Sequence, residues 1–288
     1  MSETVILEVK QLSAVLKETQ TPLIRGISFS IREGEVLGLL GESGSGKSLS
    51  SLAIAGLLPE TIQAAGSVLL MGREIIGADE ASLVKIRGRD VAIVFQEPTA
   101  ALDPLMRIGR QIALPLKKNA FLRGERPGPA GLDKAVFALM EEVKLTDIKR
   151  IARSFPHEIS GGQRQRAAIA LALACSPKLL IADEPTSAID ASIQKQLVDL
   201  IYDVAVKRGI AVLFISHDVA VVHKIAHRII VMKDGLIVEE NTGDGIVNKP
   251  QNEYTRLLIK SARRLDLAAP SPLLSGETDQ APAAKAGV

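Results

Sequence analysis

The sequence predicts an α/β chain: a mostly parallel sheet covered on both faces, a small antiparallel sheet near the start, and a helical stretch inserted between two strands of the main sheet. Three observations predict it. Over the second half, apolar strand runs alternate with helical patterns, as in Lys178–Glu184, a helix from Ala191 to Lys207, then Ile210–Ile215. The first third instead carries several strands with no helix between them, the mark of a separate antiparallel sheet. Between about residues 97 and 174 the strand signal gives way to helical periodicity.

In order, Val5–Val9 and Ile27–Ile31 read as strands, the second with apolar–polar alternation. Glu33-Gly34 turns the chain into Glu35–Leu40, a short apolar run typical of a buried strand, and Leu49–Leu58 has helical spacing. Ala65–Gly72 is a glycine-bounded strand, and Asp90–Phe95 is a buried strand ending at Gln96. Helical pattern then runs from about Leu105 to Phe155, clearest over Leu132–Leu145, while Gly124–Gly131, with Pro127 and Pro129, reads as a loop. Arg228–Met232 and Leu236–Glu239 flank Lys233-Asp234-Gly235, a hairpin signal. Residues 268–288, rich in Ala, Pro, Ser and Gly, read as a disordered tail, which places the folded domain at 1–267.

Composition excludes several classes. A net charge of +2 over 288 residues gives no basic footprint, so nucleic acid is not an expected partner. The single cysteine, Cys175, rules out an internal disulfide and an all-cysteine metal cluster. Following Ala167–Ala174, it reads as a small buried residue rather than a nucleophile. The first residues show no signal peptide. The longest apolar run, Ala167–Cys175, is far short of the ~18 residues a membrane-spanning helix needs. The chain is therefore expected to serve a membrane, if it does, by docking.

Chemistry concentrates at Gly41, Glu42, Ser43, Gly44, Ser45, Gly46, Lys47 and Ser48, which fit G-x-x-x-x-G-K-[ST] between a strand and a helix, with Leu49 next. The glycines allow the backbone to close around a ligand, and successive N–H groups at a positive helix end suit a polyphosphate. Lys47 supplies a mobile charge for the outer phosphates, and the Ser48 hydroxyl can ligate Mg²⁺. Asp183, ending an apolar strand, suits a carboxylate that holds Mg²⁺ through water, and Glu184 beside it suits a general base for an attacking water. His217 ends the next core strand, at the sheet edge where ligands bind in open α/β folds. Ser160-Gly161-Gly162-Gln163 opens a second helix and forms a second anion cradle. Two cradles for one nucleotide are reconciled by a two-fold or pseudo-two-fold dimer in which each closes on the partner's nucleotide.

Together these motifs resemble the ATP-binding cassette (ABC) ATPases. Ser160–Gln163 is similar to their signature motif, and the 41–48 loop, Gln96, Leu179–Glu184, Ser187-Ala188-Ile189-Asp190 and His217 match their other motifs in order, over about residues 5–265. The resemblance implies a P-loop NTPase cassette with a RecA-like parallel core, an N-terminal antiparallel β subdomain and an inserted helical subdomain at about 97–174. It implies ATP and Mg²⁺, with Gln96 touching the metal or water and Asp190 at the nucleotide. Phe95-Gln96-Glu97-Pro98, Phe155-Pro156-His157-Glu158 and Asn248-Lys249-Pro250 with Tyr254-Thr255 resemble the peptide and nickel importer branch. That implies an ATPase at the cytoplasmic face of a bacterial inner membrane, with two transmembrane permease subunits docked near Glu97–Phe121. It also implies an extracytoplasmic solute-binding protein and a second cassette ATPase, a different chain in preference to a copy of this one.

The chain departs from that branch in four places. No aromatic precedes Phe29, and Val15 or Leu16 stands nearest the position where many cassettes stack adenine on an aromatic ring. Ile189 stands before Asp190 in place of leucine, Asn252-Glu253-Tyr254 in place of His-Pro-Tyr, and a C-terminal cysteine cluster is missing. Alternatives are an exporter motor or a soluble non-transport cassette ATPase. A chromosome-maintenance ATPase would split the cassette with a long coiled coil, and this chain has no such heptad run.

Overall fold

The structure, a computed structural model, describes residues 4–186 and 191–268. The chain opens with β1 (Val5–Leu16), β2 (Pro22–Arg32) and β3 (Val36–Leu40), then α1 (Lys47–Ile54), β4 (Ile62–Leu70), β5 (Arg73–Glu74), α2 (Glu80–Ile86) and β6 (Val91–Val94). Four helices follow: α3 (Ile108–Leu122), α4 (Pro129–Glu142), α5 (Ile148–Arg153) and α6 (Gly161–Leu173). The second half runs β7 (Leu179–Asp183), α7 (Ala191–Arg208), β8 (Ala211–Ile215), α8 (Val219–Ile225), β9 (Arg228–Lys233), β10 (Leu236–Thr242), α9 (Gly243–Asn248) and α10 (Glu253–Ala268).

Two sheets form. One is antiparallel, in the order β2-β1-β4-β5. The other, β10-β9-β3-β8-β7-β6, is parallel except for the antiparallel edge strand β10. In β3, β7 and β8 every residue is buried, which explains their unbroken apolar runs: both faces are covered. Alternate residues divide between two cores. Val36, Leu40, Leu180, Val212 and Phe214 pack with the α3–α8 helices. Leu37, Leu39, Ile181, Leu213 and Ile215 pack with the antiparallel sheet, α1 and α2. The main sheet is thus the middle of three layers. β9 and β10 join through Asp234 and Gly235, both at positive φ (49° and 80°), as a two-residue hairpin turn requires.

Local details differ from the sequence expectation. The helix expected over Leu49–Leu58 starts at Lys47 and stops at Ile54. Gly56, at φ 65°, reverses the chain there, with Leu57 N–H bonding Leu52 C=O at 2.8 Å, a Schellman-type closure. The expected Gly124–Gly131 loop is shorter, because Pro129 begins α4, where a missing N–H costs nothing. α10 extends to Ala268, and the remainder of the expected tail lies outside the described residues. Cys175 is only half-buried, with its thiol pushed up by that burial. No helix among the described residues is long and apolar enough to cross a membrane.

Candidate nucleotide site

The parallel strands end along one edge, and the motif residues follow them there: Gly41 after β3, Gln96 after β6, Asp183 closing β7 with Glu184 beyond it, and His217 after β8. A cavity of about 780 Å³ opens at this edge. Its walls include Gly41 to Gly44, Gly46 to Leu49, Gln96, Glu184 and His217. Sequence reasoning named all of these. It did not assign Leu23, Leu258 or Ser261 to the site, and these complete the lining. Among the described residues Leu23, not Val15 or Leu16, is what the antiparallel sheet contributes.

The loop is preformed. Gly41 is obligatory, because a Cβ there would lie 2.3 Å from the Met232 carbonyl oxygen. The Lys47 ammonium, almost wholly buried, donates to the Gly41 and Glu42 carbonyls at 2.8 and 2.7 Å and lies 3.3 Å from Ser45 Oγ. Burial holds its pKa below the ordinary lysine value, against the raising influence of Glu184, Asp183 and Glu42. α1 begins at Lys47 with no side-chain cap on its first N–H groups, so the loop and helix end present donors toward the cavity.

Asp183 sits behind Lys47. Ser48 Oγ donates to its Oδ1 at 3.1 Å and Ser51 Oγ to its Oδ2 at 3.2 Å; the Ser51 contact was not anticipated. Burial raises the Asp183 pKa, opposed by the two hydroxyls, then reinforced by Glu184 and lowered by Lys47. Ser48, Asp183 and Gln96 offer hydroxyl, carboxylate and amide oxygens, a donor set that fits a hard cation such as Mg²⁺. No group of three or more His, Cys, Asp or Glu that could cage a metal exists among the described residues. A cation here would accordingly be held jointly by few protein oxygens, phosphates and water.

A carboxyl whose pKa rises on folding favours the fold below its unfolded value and loses that contribution as pH climbs through the folded value. Ionised Asp183 therefore weakens the empty protein at neutral pH. Asp183→Asn should melt higher than the parent at pH 7 without nucleotide or divalent cation. The gap should narrow as pH falls toward the ordinary aspartate value of 3.8. The same variant should lose roughly 100-fold or more in hydrolysis. Scanning calorimetry across pH checks the first effect and phosphate release the second.

Glu184 adopts φ 45°, unusual for a residue with a side chain, and its N–H bonds the Ile215 carbonyl at 2.9 Å. Its Oε2 lies 3.2 Å from His217 Nδ1, the carboxylate largely enclosed and the imidazole mostly exposed. The two residues the sequence placed on successive strand ends thus meet. Ser160 caps α6 and forms a capping box with Gln163: its Oγ accepts the Gln163 N–H at 3.3 Å, and Gln163 Oε1 accepts the Ser160 N–H at 3.1 Å. None of Ser160, Gly161, Gly162 and Gln163 lines the cavity. Asp190, with Ser187 to Ile189, lies outside the described residues.

Comparison with known proteins places this geometry. A family described as ABC transporter matches residues 24–187. The ATP-binding protein of a metal-staphylopine import system from Staphylococcus aureus is 37% identical over 91% of this chain and 94% of its own length. The oligopeptide transport ATP-binding protein of Lactococcus lactis subsp. cremoris is 41% identical over 89% of this chain and 75% of its own. Among solved structures, a dimeric ATP-binding cassette in a post-hydrolysis state with ADP and Pi superposes with a TM-score of 0.72. It is 29% identical and covers 82% of this chain and 98% of its own.

Proposed function

Because this chain belongs to the ABC transporter family, we propose that it is the ATP-hydrolysing subunit of an importer, powering uptake of peptides or a related small solute, nickel included. What carries the proposal is the convergence of Lys47, Glu184 and His217 on one cavity at the sheet edge, with Asp183 hydrogen-bonded to Ser48 of its wall. The importer half is supported by the Staphylococcus aureus relative, whose name is that of an import system.

In this mechanism the loop amides and Lys47 hold the triphosphate, with Lys47 turning from the Gly41 and Glu42 carbonyls to phosphate oxygens. Ser48, Asp183 and Gln96 would hold Mg²⁺, which would supply positive charge against the phosphate oxygens. Glu184 takes the proton of a water whose oxygen bonds the γ-phosphorus as the bond to ADP breaks. His217, in contact with Glu184, orients that carboxylate and faces the γ-phosphate. Ser160–Gln163 complete the partner ATPase's site, as the partner's equivalent segment completes this one.

Transmission to the membrane subunits is proposed at a second, apolar cavity of about 450 Å³, walled in part by Leu57, Phe95, Met106, Leu114 and Pro115. Phe95 faces this groove while its neighbour Gln96 faces the nucleotide cavity, so a shift at one is felt at the other. Leu105 and Phe121, 87% and 66% exposed on the same segment, are candidates for permease contact. The site of work is then the cytoplasmic face of the inner membrane. A permease pair, an extracytoplasmic binding protein and a second ATPase complete the machine.

Affinity purification from detergent-solubilised membranes tests this. Two multi-spanning proteins and a second cassette ATPase should co-purify. Leu105→Asp with Phe121→Asp should cut that recovery at least about tenfold while leaving nucleotide binding unchanged. Recovery of soluble partners alone would instead support the non-transport alternative.

A further inference from the structure

One wall of the nucleotide cavity comes from the far end of the chain. α10 presents Tyr254, Leu258 and Ser261, spaced i, i+4 and i+7, along one face. Leu258 and Ser261 line the cavity with Leu23 from the antiparallel sheet. The Tyr254 hydroxyl accepts the Glu42 N–H at 3.2 Å, and the carbonyl of the same Glu42 accepts Lys47 Nζ at 2.7 Å. The residue that holds the phosphate-binding ammonium is thus held, at its other backbone end, by α10.

This contact is anchored. The Lys233 ammonium sits 4.9 Å from the centre of the Tyr254 ring. The Gln251 and Asn252 N–H groups donate to the Glu239 carboxylate at 2.8 and 3.0 Å. Asn252 Oδ1 accepts the Tyr254 N–H at 2.8 Å, and its amide nitrogen reaches the Val238 carbonyl at 3.3 Å. The β9–β10 hairpin therefore fixes where α10 starts and which face meets the loop.

We infer that α10 is part of the nucleotide site: Tyr254 is a positioning residue for Lys47 through Glu42, and the Leu258–Ser261 face, with Leu23, contacts the nucleoside of a bound nucleoside triphosphate. The inference rests on the nucleotide-site reading above and extends it to a helix outside every motif of that site. It also gives the nucleoside an aliphatic contact where no aromatic is available in the first strand. A ligand touching both the loop and α10 must bind more tightly when α10 is docked and must, reciprocally, hold α10 down.

The test uses the full-length chain, a fluorescent ATP analogue and hydrogen exchange. Tyr254→Phe, which removes only the hydroxyl, should weaken binding about 3- to 10-fold. Leu258→Ala should do the same by a similar factor, about 3- to 10-fold. Both should raise KM while kcat at saturating ATP stays within about twofold of the parent, a split that general destabilisation would not produce. In the parent, the nucleotide should slow exchange of the α10 amides. Lys47→Ala serves as the control. If it loses binding while both α10 variants bind as the parent does and α10 exchange is unaltered, the inference is overturned and the nucleotide site stands. If Lys47→Ala itself binds normally, the nucleotide-site reading falls and this inference falls with it.

Discussion

Glu184→Gln should leave ATP binding at parental affinity and reduce hydrolysis by roughly 10²- to 10⁴-fold, the range expected when a positioned general base is removed. Binding should survive because the proposed phosphate contacts are those of the loop amides and Lys47, not of Glu184. The fold survives because glutamine has the same shape, can keep the 3.2 Å contact with His217, and leaves the N–H bond to Ile215 in place. With chemistry stopped and binding intact, the closed dimer should accumulate when ATP is added, since γ-phosphate contacts made only in that state shift the population toward it. Where the chain pairs with itself, size-exclusion chromatography with ATP should show the variant as a pair where the parent elutes as a monomer. Hydrolysis near the parental rate, with normal pairing, would remove Glu184 from the base role. The left-handed backbone at Glu184 agrees with this assignment: a strained conformation held by the end of the neighbouring strand fixes where one carboxylate points.

The sequence carried most of the frame because its strongest signals have direct structural causes. β3, β7 and β8 were legible as apolar runs because every residue in them is buried. The loop at 41–48 was legible because close backbone packing, as at Gly41, leaves room only for glycine. Short helices were less visible: α2 and α9, of 7 and 6 residues, are too brief to show a period and rest on their Asp79 and Thr242 caps. What stayed hidden were contacts made by topology alone. Tyr254 meets Glu42 across 212 residues, and Ser51 reaches Asp183 across 132. No local pattern marks either, since each is set by which strand ends are neighbours. Nor does any local pattern mark Leu23, which the start of β2 brings to the cavity.

Gly161→Asp should keep the chain as stable as the parent, or slightly more so, while lowering ATP hydrolysis by at least about 100-fold. Neither effect follows from crowding inside the chain. A Cβ at Gly161 would find only Arg164 Nη2, at 3.9 Å, and one at Gly162 would make an ordinary 3.5 Å contact with Ile193. Neither residue has a positive φ, so nothing within the subunit demands glycine at these positions. Replacing glycine by aspartate in a helix also gains roughly 0.3 kcal/mol of helix propensity, and an acidic residue in the first turn complements the helix dipole. Bareness that the fold does not require points to an object outside it, and the helix end selects an anion. Ser160–Gln163 stand apart from the chain's own cavity, so the proposed arrangement assigns that anion to a phosphate on the partner. Mixing two inactive variants isolates this arrangement when the chain pairs with itself. A dimer of one Lys47→Ala and one Gly161→Asp subunit gathers both lesions in one site and leaves the other whole. The mixture should regain roughly a quarter of parental activity, because half of randomly paired dimers carry one intact site of two. If each subunit instead used its own signature segment, every site in the mixture would hold a lesion, and activity would stay at the level of the separate variants.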